Sequence, residues 1–121
     1  MSQRSVLMVD DDRLILDLYA VALRKHGYTV HTASDAASAR AIIETVAPPL
    51  VCVDGRLAAT SGEDLAREFC QLGHTVVIFT NDQKLYDRPP PGIVHRLIKV
   101  NTPPQDLGHH LDRARAGLPV S

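Results

Sequence analysis

Tryptophan is absent from this chain, aromatic residues make up only 4% of it, and no lysine or arginine block runs along any segment. With so few rings, the interior must be built from Val, Leu, Ile and Ala, which suits a buried parallel sheet flanked by helices. A formal net charge of −1 and the lack of a basic stripe argue against a chain whose main task is holding nucleic acid. Long apolar runs are missing too. The opening MSQRSVLMVDDD breaks into acid after four apolar residues, so it reads neither as a signal peptide nor as a membrane span. A cytoplasmic location without membrane insertion is the expectation. Cysteine is scarce: Cys52 and Cys70 lie in apolar patterns without metal-ligand spacing, which points to two buried thiols in a reducing compartment.

What is present is a steady alternation of short apolar runs with amphipathic segments. At 121 residues, 45% of them apolar, the chain has the size of one domain (1–121, with a core from about 5 to 118). Residues 6–9 (VLMV) read as a buried strand, after which Leu14, Ile15, Leu18, Val21 and Ala22 recur at helical spacing until Gly27. Residues 29–33 form a weaker, half-polar strand, and Ser34 or Asp35 can cap a helix carrying Ala39, Ile42, Ile43 and Val46. Residues 50–53 (LVCV) are the clearest central strand, followed by a helix capped by Ser61 with Leu65, Ala66, Phe69 and Leu72. Strands over 75–79 and 93–98 and a last helical stripe of Leu107, Leu111, Ala114 and Leu118 complete the pattern. Five strands separated by helices predict an α/β parallel sheet covered on both faces. The fourth crossover is degraded to a loop, because Pro89, Pro90 and Pro91 forbid a regular helix and leave room for one turn near residues 82–86.

The polar residues fall in telling places. Strand one ends on Asp10, Asp11 and Asp12, strand three on Asp54, strand four on Thr80 and strand five on Lys99. Ligands of open parallel sheets bind outside the carboxyl ends of the strands, so these groups share one edge. Crowded carboxylates need a cation, and an oxygen-only set with room for water suits Mg²⁺ better than Zn²⁺. Such a site, with a hydroxyl and an amine beside it, is suited to holding a phosphoryl group.

The segments VLMVDDD, VCVDGRLAATSGEDL, VVIFTN and HRLIKV, in that order at successive strand ends, resemble the receiver domain of two-component response regulators. The resemblance implies a flavodoxin-like, doubly wound five-stranded sheet of order 2-1-3-4-5 acting as a signalling receiver. It implies that Asp54 is the phosphoacceptor and that Asp10, Asp11, Asp54 and the backbone carbonyl of Arg56 hold Mg²⁺. Thr80 matches the conformation-sensing hydroxyl, and Lys99 the lysine that pairs with the phosphoryl group. The implied partners are a sensor histidine kinase or histidine phosphotransfer protein and an unknown downstream protein target, with no direct nucleic-acid contact. The implied activity is acceptance of a phosphoryl group, assisted by the domain itself, rather than turnover of a substrate. Only residues 118–121 follow the last helix, so no output segment is expected.

Four positions depart from the family's pattern. Ala58 stands where Pro is usual, Asn81 where a very small residue is usual, Arg96 at the aromatic switch position, and Val100 where Pro follows the lysine. Asn81 is expected to crowd the site, and Val100 removes the usual reason for a cis peptide, so that Lys99 is aimed differently. Switching is expected to work by ordering residues 81–92 on phosphorylation. The alternative is a degenerate, phosphorylation-independent interaction module; a Mg²⁺-dependent phosphatase is weaker, because Gly55 and Arg56 leave no carboxylate for a general acid. Taken singly, Asp10 to Asp12 are better explained as helix capping with favourable dipole charge, and Lys99 as a surface lysine; their joint occurrence with Asp54 and Thr80 reverses that. The six histidines, His26, His31, His74, His95, His109 and His110, are scattered and read as surface or half-buried residues.

Overall fold

A computed structural model describes residues 4–57 and 61–121. Ala58 therefore lies outside the described residues. The strands are β1 (Ser5–Val9), β2 (Thr29–Ala33), β3 (Leu50–Val53), β4 (Thr75–Thr80) and β5 (His95–Ile98). They alternate with helices α1 (Arg13–Lys25), α2 (Ala36–Thr45), α3 (Gly62–Gln71), α4 (Gln83–Asp87) and α5 (Pro104–Arg115). The sheet is parallel throughout, in the order β2-β1-β3-β4-β5. The alternation predicted the parallel sheet, and this order is the doubly wound one that the resemblance implied.

Alternate residues of a strand face opposite sides of the sheet, and the two cores follow from that period. Val6 and Met8 of β1 pack with Leu16, Tyr19 and Leu23 of α1 and Leu107 and Leu111 of α5. Leu7 and Val9 pack on the other side with Ile43 of α2, Leu65 and Phe69 of α3 and Leu85 of α4. Because β1, β3 and β4 are buried on both sides, they read as unbroken apolar runs.

The face of α1 differs from the expected one. Leu16, Tyr19, Ala20 and Leu23 are buried, whereas Leu14, Leu18 and Val21 are exposed. The segment LILDLYAVAL is apolar almost all round, so two stripes satisfy the helical period, and the one carrying Tyr19 meets the sheet. At the other end of the chain α5 stops at Arg115. Gly117 adopts a positive φ of 83° and the amide of Leu118 returns to the Arg113 carbonyl at 3.0 Å, a closing geometry that leaves Leu118 exposed. Val120 takes the buried place beyond it and accepts from the Arg96 amide at 2.7 Å.

β5 is shorter than expected, because the Ile93 amide turns back to the Pro90 carbonyl after Gly92 at φ 87°. The single turn foreseen in the fourth crossover is there as α4, capped by the Asp82 side chain and ended at Arg88 before the prolines. Its last carbonyls do not dangle: Arg96 donates to Tyr86 O at 2.7 Å and to Asp87 O at 3.4 Å, with its guanidinium over the Tyr86 ring. Both cysteines are free thiols. Cys52 is buried, which pushes its thiol up to about 12, while Cys70 is only half-buried and lies 3.5 Å from the Gly92 carbonyl.

Candidate functional site

The three aspartates after β1 have separate tasks. Asp12 is the N-cap of α1 and accepts from the amides of Leu14 and Ile15 at 3.0 and 3.3 Å. Capping therefore accounts for Asp12 but not for its neighbours. Asp10 is buried and points inward, one oxygen accepting from the Asp12 amide at 2.9 Å. Asp11 is exposed at the rim. Asp54, which follows β3, is buried beside them, and carboxylate oxygens of Asp10, Asp11 and Asp54 lie within 4.8 Å of one another.

Lys99 enters from the end of β5, where a tight helical turn spans Lys99–Asn101. Its ammonium donates to Asp10 Oδ2 at 2.5 Å and to Asp54 Oδ2 at 3.1 Å. No cis peptide bond occurs among the described residues, and the expectation that Val100 would misdirect Lys99 does not hold. Asn81 supplies part of the reason. Instead of crowding the pocket, its Oδ1 accepts from the Val100 amide at 2.9 Å and ties the end of β4 to the turn that carries Lys99. Thr80 is buried at that strand end, its hydroxyl accepting from the Asp82 amide at 3.0 Å.

Charge and burial compete in this pocket. Burial raises the Asp54 carboxyl above the ordinary range and the Asp10 charge adds to it, although Lys99 and the Arg56 amide pull the other way. Lys99 would be lowered by burial, but its hydrogen bond to Asp10 and the two carboxylate charges outweigh that and raise it. Three crowded carboxylates against one ammonium leave an excess of negative charge. Oxygen donors, one of them at a rim open to water, fit a hard divalent cation such as Mg²⁺.

Arg56 donates its amide to Asp54 Oδ1 at 3.2 Å, so the chain after β3 curls over the carboxylate. Its side chain turns to Asp82 Oδ2 at 3.1 to 3.2 Å, joining the two sides of a pocket lined by Asp54, Arg56, Thr80, Asn81, Asp82 and Gln83. Asp82 is held below the ordinary carboxylate range. Burial acts against that, but hydrogen bonds from Arg56 and from the Leu85 and Lys84 amides prevail.

Gly62, which positions the backbone at Asp54, went unread in the sequence. A Cβ on Gly62 would fall 1.9 Å from the Asp54 carbonyl oxygen, and one on Gly55 would fall 1.8 Å from Leu85 Cδ2. Only glycine at position 62 lets α3 close on the backbone around Asp54, whereas at position 55 the neighbour is the movable end of the Leu85 side chain. The DG pair was legible as a turn, whereas nothing marked Gly62 as a close approach. Asp82 was missed as well, although an Asp one residue before a helical turn is a capping signal.

Comparison with known proteins agrees with this geometry. The model of the response regulator receiver domain matches residues 6–88. The phosphate regulon transcriptional regulatory protein PhoB of Pseudomonas aeruginosa is 39% identical over 64 residues, which cover 53% of this chain and 28% of that protein. The probable transcriptional regulatory protein TcrX of Mycobacterium tuberculosis is 31% identical over 86 residues, 69% of this chain and 37% of that protein. The match thus spans about a third of the length of these curated relatives. A CheY-like response regulator receiver domain protein from Methanospirillum hungatei superposes with a TM-score of 0.84 at 26% identity, over 96% of both chains. TrrA of Thermotoga maritima, solved in complex with Mg²⁺-BeF, shares the fold at a TM-score of 0.73 and 21% identity, over 78% of this chain and 85% of that one. With acid, hydroxyl and lysine gathered at one sheet edge and the family match covering most of its length, this chain belongs to the receiver domain family of response regulators.

Proposed function

We propose that the chain takes a phosphoryl group from a phosphohistidine onto Asp54, and that the transfer alters its binding to a downstream protein. The donor in this reading is a sensor histidine kinase or a histidine phosphotransfer protein. One observation carries it: Asp10, Asp11 and Asp54 converge within 4.8 Å, with Lys99 bonded to two of them. Asp10, Asp11, Asp54 and the Arg56 carbonyl would hold Mg²⁺, which supplies positive charge to the transferring oxygens. The Asp54 carboxylate attacks phosphorus as the phosphorus–nitrogen bond breaks, and the electron pair leaves with the imidazole. Lys99 then exchanges its bond to Asp54 for one to the phosphoryl oxygens, and the buried Thr80 hydroxyl lies at the next strand end to meet them. Leu14, Leu18 and Val21 form an exposed apolar stripe that starts beside Asp11, a surface suited to a partner's helix.

Ordering of residues 81–92 gives way to a different switch. This segment already carries α4, held by Asp82, Arg56 and Arg96. Recruiting Thr80 to a phosphoryl group breaks its bond to the Asp82 amide and repositions the start of α4, rather than ordering a loop. A phosphorylation-independent interaction module is the alternative. Lys99 aimed at Asp54, with Asn81 bracing its turn, favours the phosphoacceptor. Incubation with a small phosphodonor, followed by intact mass measurement, tests this. The expected result is a Mg²⁺-dependent gain of one phosphoryl group that Asp54→Asn abolishes; no gain favours the module, and multiple turnover of a phosphomonoester a phosphatase.

A further inference from the structure

The histidines are not all dispersed, as they seem in the sequence. His26, at the C-cap of α1, meets His109 and Asp112 of α5, and one ligand atom from each lies within 4.8 Å of the other two. We infer that His26, His109 and Asp112 form a second cation site, chemically unlike the first, that takes a divalent transition metal such as Zn²⁺.

Position separates the two sites. α1 starts at the carboxyl edge of the sheet beside Asp11 and runs back, so His26 lies just before β2 at the opposite edge. His109 and Asp112 are three residues apart on α5 and share a face. Two imidazoles and one carboxylate form a three-ligand set of the kind zinc accepts, with a fourth position left for water. Magnesium, which prefers oxygen, is a poor match.

The cluster is built rather than accidental, as Gly108 shows. Glycine inside a helix costs about 1 kcal/mol relative to alanine. Here a Cβ would fall 2.5 to 2.9 Å from three atoms of the His26 ring, so the bare backbone of α5 is the seat that lets the ring lie against it. The Asp112 carboxylate is oriented as well. Its Oδ1 accepts from the Tyr28 hydroxyl at 2.6 Å and from Arg4 Nη2 at 3.5 Å, while Oδ2 faces His26 Nε2 at 2.8 Å. Hydrogen-bonded support behind a ligating carboxylate is a common feature of metal sites. The His109 ring stands edge-on to His26, centroids 4.7 Å apart. An ion between Oδ2 and Nε2 would replace the shared proton and widen their separation by roughly half an ångström, at bond lengths of about 2.0 to 2.1 Å.

Co²⁺ tests this, because its visible absorption reports coordination and needs no phosphorylation. The full chain is titrated with Co²⁺ in excess Mg²⁺, which saturates the acidic site. The expected result is one Co²⁺ per chain with the intense bands of a four-coordinate site, displaced by Zn²⁺. His109→Ala, at an exposed position, weakens binding by at least roughly tenfold. The double variant Asp11→Asn, Asp54→Asn binds as the parent does. Absence of the bands, indifference to His109→Ala, or loss of binding in the double variant would each overturn the proposal.

Discussion

Replacing Asp54 by Asn removes one charge from a crowded pocket while keeping the shape of the side chain and an acceptor for the Arg56 amide. At the 4.8 Å limit on their oxygen separation, Asp10 and Asp54 repel by about 3.5 kcal/mol in an effective dielectric of about 20. The exposed Asp11, screened by water, adds about 1 kcal/mol at the same separation. The Lys99 ammonium at 3.1 Å returns about 5 kcal/mol. These contributions nearly cancel, so the cost of burying the Asp54 charge decides the sign, in keeping with its raised carboxyl. Without divalent cation, Asp54→Asn should therefore be more stable than the parent by about 1 to 2 kcal/mol. Mg²⁺ reverses the order. At a hundredfold excess over its dissociation constant it stabilises the parent by about 2.7 kcal/mol, and a variant lacking one carboxylate ligand by much less. Urea denaturation of both proteins, in EDTA and in saturating Mg²⁺, reads out the crossover. A variant less stable than the parent in EDTA, or equal stabilisation of both by Mg²⁺, would refute the electrostatic reasoning.

Gly62→Ala places a methyl 1.9 Å from the Asp54 carbonyl oxygen, so denaturation should show a loss of about 1 to 3 kcal/mol together with slower phosphorylation. Arg96→Ala strips the Tyr86 and Asp87 carbonyls of their donor, and α4 should fray. Amide exchange within Gln83–Asp87 should quicken several-fold while β4 stays protected. His95 is buried, its Nδ1 without a partner among the described residues, and burial lowers its pKa below the usual 6.5. The unfolded chain then binds a proton that the folded one does not. Stability held above about 6.5 is lost as pH falls toward the folded value. In His95→Leu, the slope of stability against pH below 6.5 should flatten.

The alternation of strands with helices and the strand-end chemistry were legible because both rest on apolar runs and the residues adjacent to them, whereas the sheet order came only with the family resemblance. VLMV followed by acid and LVCV followed by Asp54 need no tertiary knowledge to be placed at one edge. Elsewhere the sequence is degenerate. LILDLYAVAL offers two apolar faces, and only packing chooses Tyr19 over Leu14. Asn81 and Val100 resembled defects because each was weighed alone, whereas together they make one hydrogen bond that braces Lys99. Gly62, Gly108 and the meeting of His26 with Asp112 depend on contacts between distant elements, which no local pattern encodes.

Borohydride reduction of the phosphorylated chain, followed by peptide mapping, tests the central claim most directly, since the hydride converts an acyl phosphate on aspartate to homoserine. Homoserine at position 54, formed only when Mg²⁺ was present during phosphorylation, is the predicted result. Reduction at Asp10 or Asp11, or none anywhere in a chain that has gained a phosphoryl group, would contradict it.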